Sequence, residues 1–192
     1  DTDAVERVKI QYGSSYCYPV SSMGSHVSGS PNHQLNRSTP LSTRANVAYF
    51  GTFGYELDLN SLSSQQQEEV KAQVAFMKQY RKLIQFGTFY RLVSPFENNV
   101  SAWMVVSQDK KEAIVGCYRT LSETNTPYSR LPLKGLDAAL EYSVDGGNGV
   151  SHYGDELMNI GLITSDASCG EMSAADIPCC DFDSRLYILK AV

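Results

Sequence analysis

The pattern of apolar and polar positions divides the chain into a helix-bearing first half and a strand-rich second half. Ala4, Val5, Val8 and Tyr12 recur near helical spacing behind Asp1 and Asp3, whose carboxylates suit the positive end of a helix dipole, so a short amphipathic helix is predicted to end at Gly13. Tyr16-Cys-Tyr-Pro-Val20 is apolar and rich in β formers and reads as a buried strand running into the turn Ser21-Ser-Met-Gly24. A Pro and Ser rich loop follows over 28–42, then a short helix over 43–49 that Gly51 and Gly54 break, then an alternating strand over 55–59. Capping residues at 61–64 precede the longest predicted helix, over 65–86, where Val70, Val74, Met77 and Ile84 repeat at helical intervals opposite Lys71, Lys78, Arg81 and Lys82. Glu68 and Glu69 are read into its first turn and Gly87 into its C-terminal cap.

From Phe89 onward the period changes. Short β-rich runs at 102–106, 113–119, 139–144 and 185–190, with a weaker one at 156–163, are separated by turn signals. Several short strands without long intervening helices indicate an antiparallel sandwich or sheet. The domain boundary therefore falls near 88–95. Ser165 to Cys180 lacks periodicity and reads as a surface loop.

Composition changes this picture mainly by exclusion. The 192 residues are 42% hydrophobic, enough for a buried core. A net charge of −5 with scattered Lys and Arg offers no basic stripe, which argues against nucleic acid as a partner. The sequence contains no run near the roughly 20 apolar residues of a membrane span. Five cysteines, Cys17, Cys117, Cys169, Cys179 and Cys180, are odd in number and irregular in spacing. They favour a reducing compartment, the cytoplasm, over a disulfide framework.

Candidate chemistry is sparse. His26 and His33 lie in one glycine-rich segment; they read as ligands or acid/base groups, or as hydrogen-bonded loop histidines, and they have no acidic or thiol neighbour at metal spacing. The pairs Asp1 with Asp3 and Glu56 with Asp58 offer two carboxyl groups each, as glycosidases require. On a strand a spacing of two places both on one face, which suits a substrate contact or equally a solvated face. Tyr12, Tyr16, Tyr18, Tyr49, Phe50, Phe53 and Tyr55 could stack on sugar rings or fill a core. Cys169, Cys179 and Cys180 have no evident fourth zinc ligand. Phosphate-binding, dinucleotide and serine-hydrolase glycine motifs are absent from the sequence. No metal or cofactor is expected.

Two segments carry more information than any single residue: Met23-Gly-Ser-His-Val-Ser-Gly-Ser-Pro-Asn-His33 and Arg44-Ala-Asn-Val-Ala-Tyr-Phe-Gly-Thr-Phe-Gly-Tyr-Glu-Leu-Asp58. Collinear with them are Gly87-Thr-Phe-Tyr-Arg-Leu92, Ser94-Pro-Phe-Glu97, Ala102-Trp-Met104, Arg130-Leu-Pro-Leu-Lys-Gly-Leu-Asp137, Gly154-Asp-Glu-Leu-Met158 and Ser184-Arg-Leu-Tyr187. Across nearly the whole chain these resemble the C-terminal part of glycoside hydrolase family 36, the bacterial α-galactosidases.

The resemblance implies an α/β region followed by an all-β one: residues 1–90 as the last βα units of a (β/α)8 TIM barrel and residues 91–192 as a C-terminal antiparallel β-sandwich. It implies retaining hydrolysis of terminal α-galactosides of the melibiose and raffinose type, with a tetramer as the family's frequent assembly. The family's nucleophile motif Lys-Trp-Asp and acid/base motif Trp-Thr-Ser-Asp are absent from the chain, so none of its residues is assigned a catalytic role and the chain by itself is expected to be inactive. Gly24 and His26, at the end of what resembles barrel strand 7, are the candidate substrate-binding residues. The alternative is a free-standing carbohydrate-binding or structural β-sandwich module.

Overall fold

The computed structural model describes residues 1–124, 129–145, 151–165 and 180–192. Two compact units divide between Phe86 and Gly87.

The first unit alternates helix and strand: α1 (Ala4–Ser14), β1 (Gly24–Ser28), α2 (Leu41–Ala48), β2 (Thr52–Glu56) and α3 (Ser64–Phe86). Asp3 caps α1, its Oδ2 accepting from the Glu6 amide at 3.0 Å. This satisfies one of the amides that a helix start leaves without an intrahelical partner. Ahead of α3, Ser63 and Gln66 form a reciprocal box: Ser63 Oγ accepts from the Gln66 amide at 3.2 Å and Gln66 Oε1 accepts from the Ser63 amide at 3.0 Å. With Ser64 as its first residue, α3 carries no acidic residue in its first turn, so Glu68 and Glu69 fall later than the sequence reading put them. Its buried residues are Gln73, Met77, Tyr80, Leu83 and Ile84.

Two strand expectations are corrected. The run 16–20 is not a buried strand: Tyr16 and Tyr18 are exposed, and Val20–Ser22 forms a 3-10 turn. β propensity there yields to chain geometry, since α1 runs through Gly13 to Ser14 and Pro19 has no amide to offer a ladder. The strand is instead Gly24–Ser28, of weak propensity, stabilised by parallel pairing with β2. The strand expected over 55–59 lies at Thr52–Glu56. Gly54 sits inside it, and Gly51, just before it, permits close approach: a Cβ there would stand 2.5 Å from Ser25 Cβ and 2.8 Å from the Met23 carbonyl.

The second unit is built on a six-stranded sheet. Its strands are β3 (Thr88–Val93), β4 (Val100–Val106), β5 (Glu112–Arg119), β7 (Glu141–Val144), β8 (Ser151–Tyr153) and β10 (Ser184–Ala191), in the order β3-β4-β5-β10-β7-β8. Every pairing within it is antiparallel. A separate antiparallel pair joins β6 (Ser129–Leu131) to β9 (Leu162–Ser165). The weak strand expected at 156–163 is instead the short helix α4 (Gly154–Asn159) leading through Gly161 into β9. β3, β6 and β8 were not anticipated; the last two are three residues each, too short to show a period.

The core explains the arrangement. Alternate residues Ala102, Met104 and Val106 of β4, Ala113, Val115 and Cys117 of β5, and Tyr187 and Leu189 of β10 form one buried cluster. Leu131 from β6, Leu162 from β9, Leu157 from α4, Tyr142 from β7, and Leu133 and Leu136 belong to it as well. One face of the sheet thus packs on the β6–β9 pair and α4, while Trp103, Val105 and Ile114 on its opposite face are buried as well. Burial pushes the Cys117 thiol up to about 11, as expected of a core cysteine rather than a reactive one. Cys169, Cys179 and nearly all of the loop expected at 165–180 lie outside the described residues.

Candidate functional site

β1 and β2 pair in parallel from Gly24 opposite Thr52 to Ser28 opposite Glu56. Side chains alternate across a strand, so Ser25, Val27, Phe53 and Tyr55 share one face, while Gly24, His26, Ser28, Thr52, Gly54 and Glu56 share the other, Ser28 alone of these being buried.

The first face meets the helices. Ser25 Oγ donates to Gln11 Oε1 at 2.9 Å, Tyr55 Oη donates to Gln73 Oε1 at 2.8 Å, and Val27 is wholly buried. Phe53 stacks on Tyr49 with centroids 5.1 Å apart. Burial pushes the Tyr55 hydroxyl up to about 12, with the Glu69 carboxylate adding to it. Tyr49 rises further, from burial first and then from Tyr55 and Glu69. Of the aromatic residues in the first third, Tyr49, Phe50 and Tyr12 are core.

The second face is open. His26 and Glu56 side chains are 45% and 60% exposed, and His26 Nδ1 stands 4.0 Å from Glu56 Oε2. Gly24 is exposed, with nothing nearer to its missing side chain than His26 Cε1 at 3.9 Å. Gly54 lies under the imidazole; a Cβ there would come within 3.2 Å of His26 Cδ2. His26, Gly54 and Glu56 thus run from the middle to the C-terminal end of a parallel strand pair, the end where βα folds bind ligands, whereas Gly24 is the first residue of β1 and not at the strand's C-terminal end as expected.

This glycine floor is held from below by a buried polar network absent from the sequence reading. Arg7, in α1, donates to the Gly24 carbonyl, to the Asp1 carbonyl at 3.2 Å and to Gln11 Oε1 at 3.2 Å. Gln11 in turn donates to the Val47 and Phe50 carbonyls, each at 3.0 Å. All four of its amide hydrogen-bonding roles are filled, as burial demands. Desolvation lowers the Arg7 pKa from its ordinary range and the Glu56 carboxylate opposes that shift. The available signal was Arg7 and Gln11 one turn apart beside the apolar stripe of α1.

The remaining candidates are put to structural use. Asp3 caps α1 and pairs with Arg37, and Asp1 Oδ1 accepts from the Asp3 amide at 2.7 Å. Asp58 lies beyond β2 and accepts from the Asn60 amide at 2.9 Å, capping a 3-10 turn. The Glu56 and Asp58 pair is therefore not presented on one strand face. His33 is exposed on the loop after β1, where Asn32 Oδ1 accepts from the Gln34 and Leu35 amides. Asn32 also donates to Thr2 at 2.9 Å, and Arg37 reaches Asp3, so this loop and the start of α1 form one rim. Among the described residues no group of three or more His, Cys, Asp or Glu could hold a metal ion, and no helix is long and apolar enough to cross a membrane.

The helix-and-strand unit with its open face and the antiparallel domain after it are each matched by a family model. The family model named Melibiase matches residues 1–87, and that of the glycosyl hydrolase family 36 C-terminal domain matches residues 100–189. The chain belongs to glycosyl hydrolase family 36. It is 50% identical to α-galactosidase AgaA of Geobacillus stearothermophilus and 47% identical to α-galactosidase 1 of Pediococcus pentosaceus, in each case over the whole chain and 25% of the relative. A crystal structure of an AgaA variant in complex with 1-deoxygalactonojirimycin superposes with a TM-score of 0.90 at 48% identity, covering 100% of this chain and 25% of that one. The chain thus spans about a quarter of the length of these relatives.

Proposed function

We propose that the chain is the C-terminal part of a retaining α-galactosidase acting on terminal α-galactosides of the melibiose and raffinose type. In this reading the first unit supplies the last βα units of a (β/α)8 barrel and the second is the closing β-sandwich. The observation that carries it is the β1–β2 pair. It is covered by helix residues on one face, open and polar-lined on the other, and joined to no third strand among the described residues. Two parallel strands cannot close a barrel, and their free edges call for further strands. The crystallised AgaA variants in complex with raffinose and with stachyose support the substrate class.

The chemistry is double displacement. One carboxylate attacks the anomeric carbon while the other protonates the departing oxygen; water activated by the second then releases the sugar. Neither carboxylate is assigned within these residues, whose part is to shape the site: Gly24 allows the sugar close to backbone, and His26 offers a ring nitrogen to its hydroxyls. The neutral substrate needs no metal or cofactor in this scheme. The enzyme is read as cytoplasmic from its cysteine usage, and as bacterial and a homo-tetramer from the family resemblance.

The test compares the 192 residues alone with the full-length enzyme that carries them. The enzyme is expected to hydrolyse a chromogenic α-galactoside and the isolated chain is not. Robust turnover by the chain alone would overturn the reading. Calorimetric galactose binding by the chain without any turnover in the longer protein would replace it with a free-standing sugar-binding module.

A further inference from the structure

We infer that Glu56 and His26 together form a hydroxyl-recognising subsite for the sugar on the leaving-group side of the scissile bond; this rests on the α-galactosidase reading above. The separation of the two groups is the main argument. At 4.0 Å, His26 Nδ1 and Glu56 Oε2 are too far apart to hydrogen-bond each other. One hydroxyl oxygen about 2.8 Å from each bridges them at an angle of about 90°, accepting from an imidazole N–H and donating to the carboxylate. A sugar hydroxyl has both capacities; an ether oxygen lacks the donor.

Position along the strands assigns the side. Glu56 is the last residue of β2 and opposes Ser28, the last of β1, whereas His26 opposes Gly54 farther in. With the site at the C-terminal ends of the strands, Glu56 occupies the outer rim, where the departing sugar projects, rather than the floor beneath the sugar being cleaved. Gly54 leaves room for the ring: a Cβ there would stand 3.2 Å from His26 Cδ2 and push it by a few tenths of an ångström. The carboxylate also selects by charge, favouring neutral saccharides over those bearing a carboxylate or phosphate on the leaving side.

The experiment uses the full-length enzyme and reads the ratio of kcat/KM for an α-galactoside with a saccharide leaving group to that for an aryl α-galactoside. Glu56→Gln is expected to lower this ratio about ten-fold, the effect of one hydrogen bond to a charged group. Gly54→Ala, which leaves both polar groups in the protein but moves the ring, is expected to lower it about three-fold. An unchanged ratio in both variants overturns the subsite, whether their activity is normal or falls equally on the two substrates. Failure of the unsubstituted enzyme to cleave either substrate instead overturns the α-galactosidase reading, and the subsite falls with it.

Discussion

Beneath β1 a polar cluster is set among apolar residues: Asp3, Arg7, Gln11 and Ser25 are buried beside Val5, Val8 and Val27, with Arg7 and Ser25 both donating to Gln11. Beneath β4 and β5 the interior is apolar, with Met104, Val115 and Leu189 wholly enclosed. The contrast shows a division of labour. Apolar burial stabilises without direction, which suffices where a sheet has only to be held together. Hydrogen bonds to Gly24, Asp1, Val47 and Phe50 carbonyls fix where backbone lies, and the first unit needs its glycine floor and rim in register with each other.

Substitutions can break this contrast, beginning with the largest effect. Met104→Ala leaves a cavity at a fully buried site and is expected to cost about 4 kcal/mol of stability in denaturant unfolding, with KM for an α-galactoside unchanged once the protein is folded. Gln11→Leu keeps the volume but strands two carbonyls, the Ser25 hydroxyl and one Arg7 donor. It is expected to cost about 3 kcal/mol and to raise KM as well, because the floor moves; an unchanged KM would show that the network supports only the fold. Gly24→Val, projecting from the open face, is expected to cost about ten-fold in kcat/KM with little change in unfolding midpoint, and unaltered kinetics would remove Gly24 from the substrate site.

Alkaline pH sharpens the comparison in the other direction. The folded Tyr55 hydroxyl is raised from 10.0 to about 12. Below pH 10 both folded and unfolded states hold this proton; between the two values only the folded state does, so its stabilising contribution is lost as pH rises through about 12. Thermal midpoints followed from about pH 9 upward are expected to fall across that window, and Tyr55→Phe is expected to flatten the fall. An identical slope in the variant would assign the loss elsewhere.

Much of the fold is legible in the sequence where the signal is local. The repeat of Val70, Val74, Met77 and Ile84 marks α3, and the β-rich runs around 102–106, 113–119 and 185–190 mark the three strands at the middle of the large sheet. Legibility fails where local preference competes with partners far along the chain. Tyr16-Cys-Tyr has better β formers than Gly24-Ser-His-Val-Ser28, yet only the latter finds a strand to pair with. Of the candidate site, Gly24 and His26 were singled out only through the family resemblance, while Glu56 was indistinguishable from a solvated strand residue.

The sequence by itself determined the helix-then-strand order, the long helix and the family, since helical period, β alternation and collinear motifs are properties of neighbouring residues. Only the tertiary structure decided that His26 and Glu56 stand 4.0 Å apart, that Asp58 turns away to cap a 3-10 turn, and that Arg7 lies beneath Gly24. The physical reason is register: parallel pairing across a helical crossover joins residues with no local interaction, and a shift of one residue would turn every side chain on the strand to the opposite face.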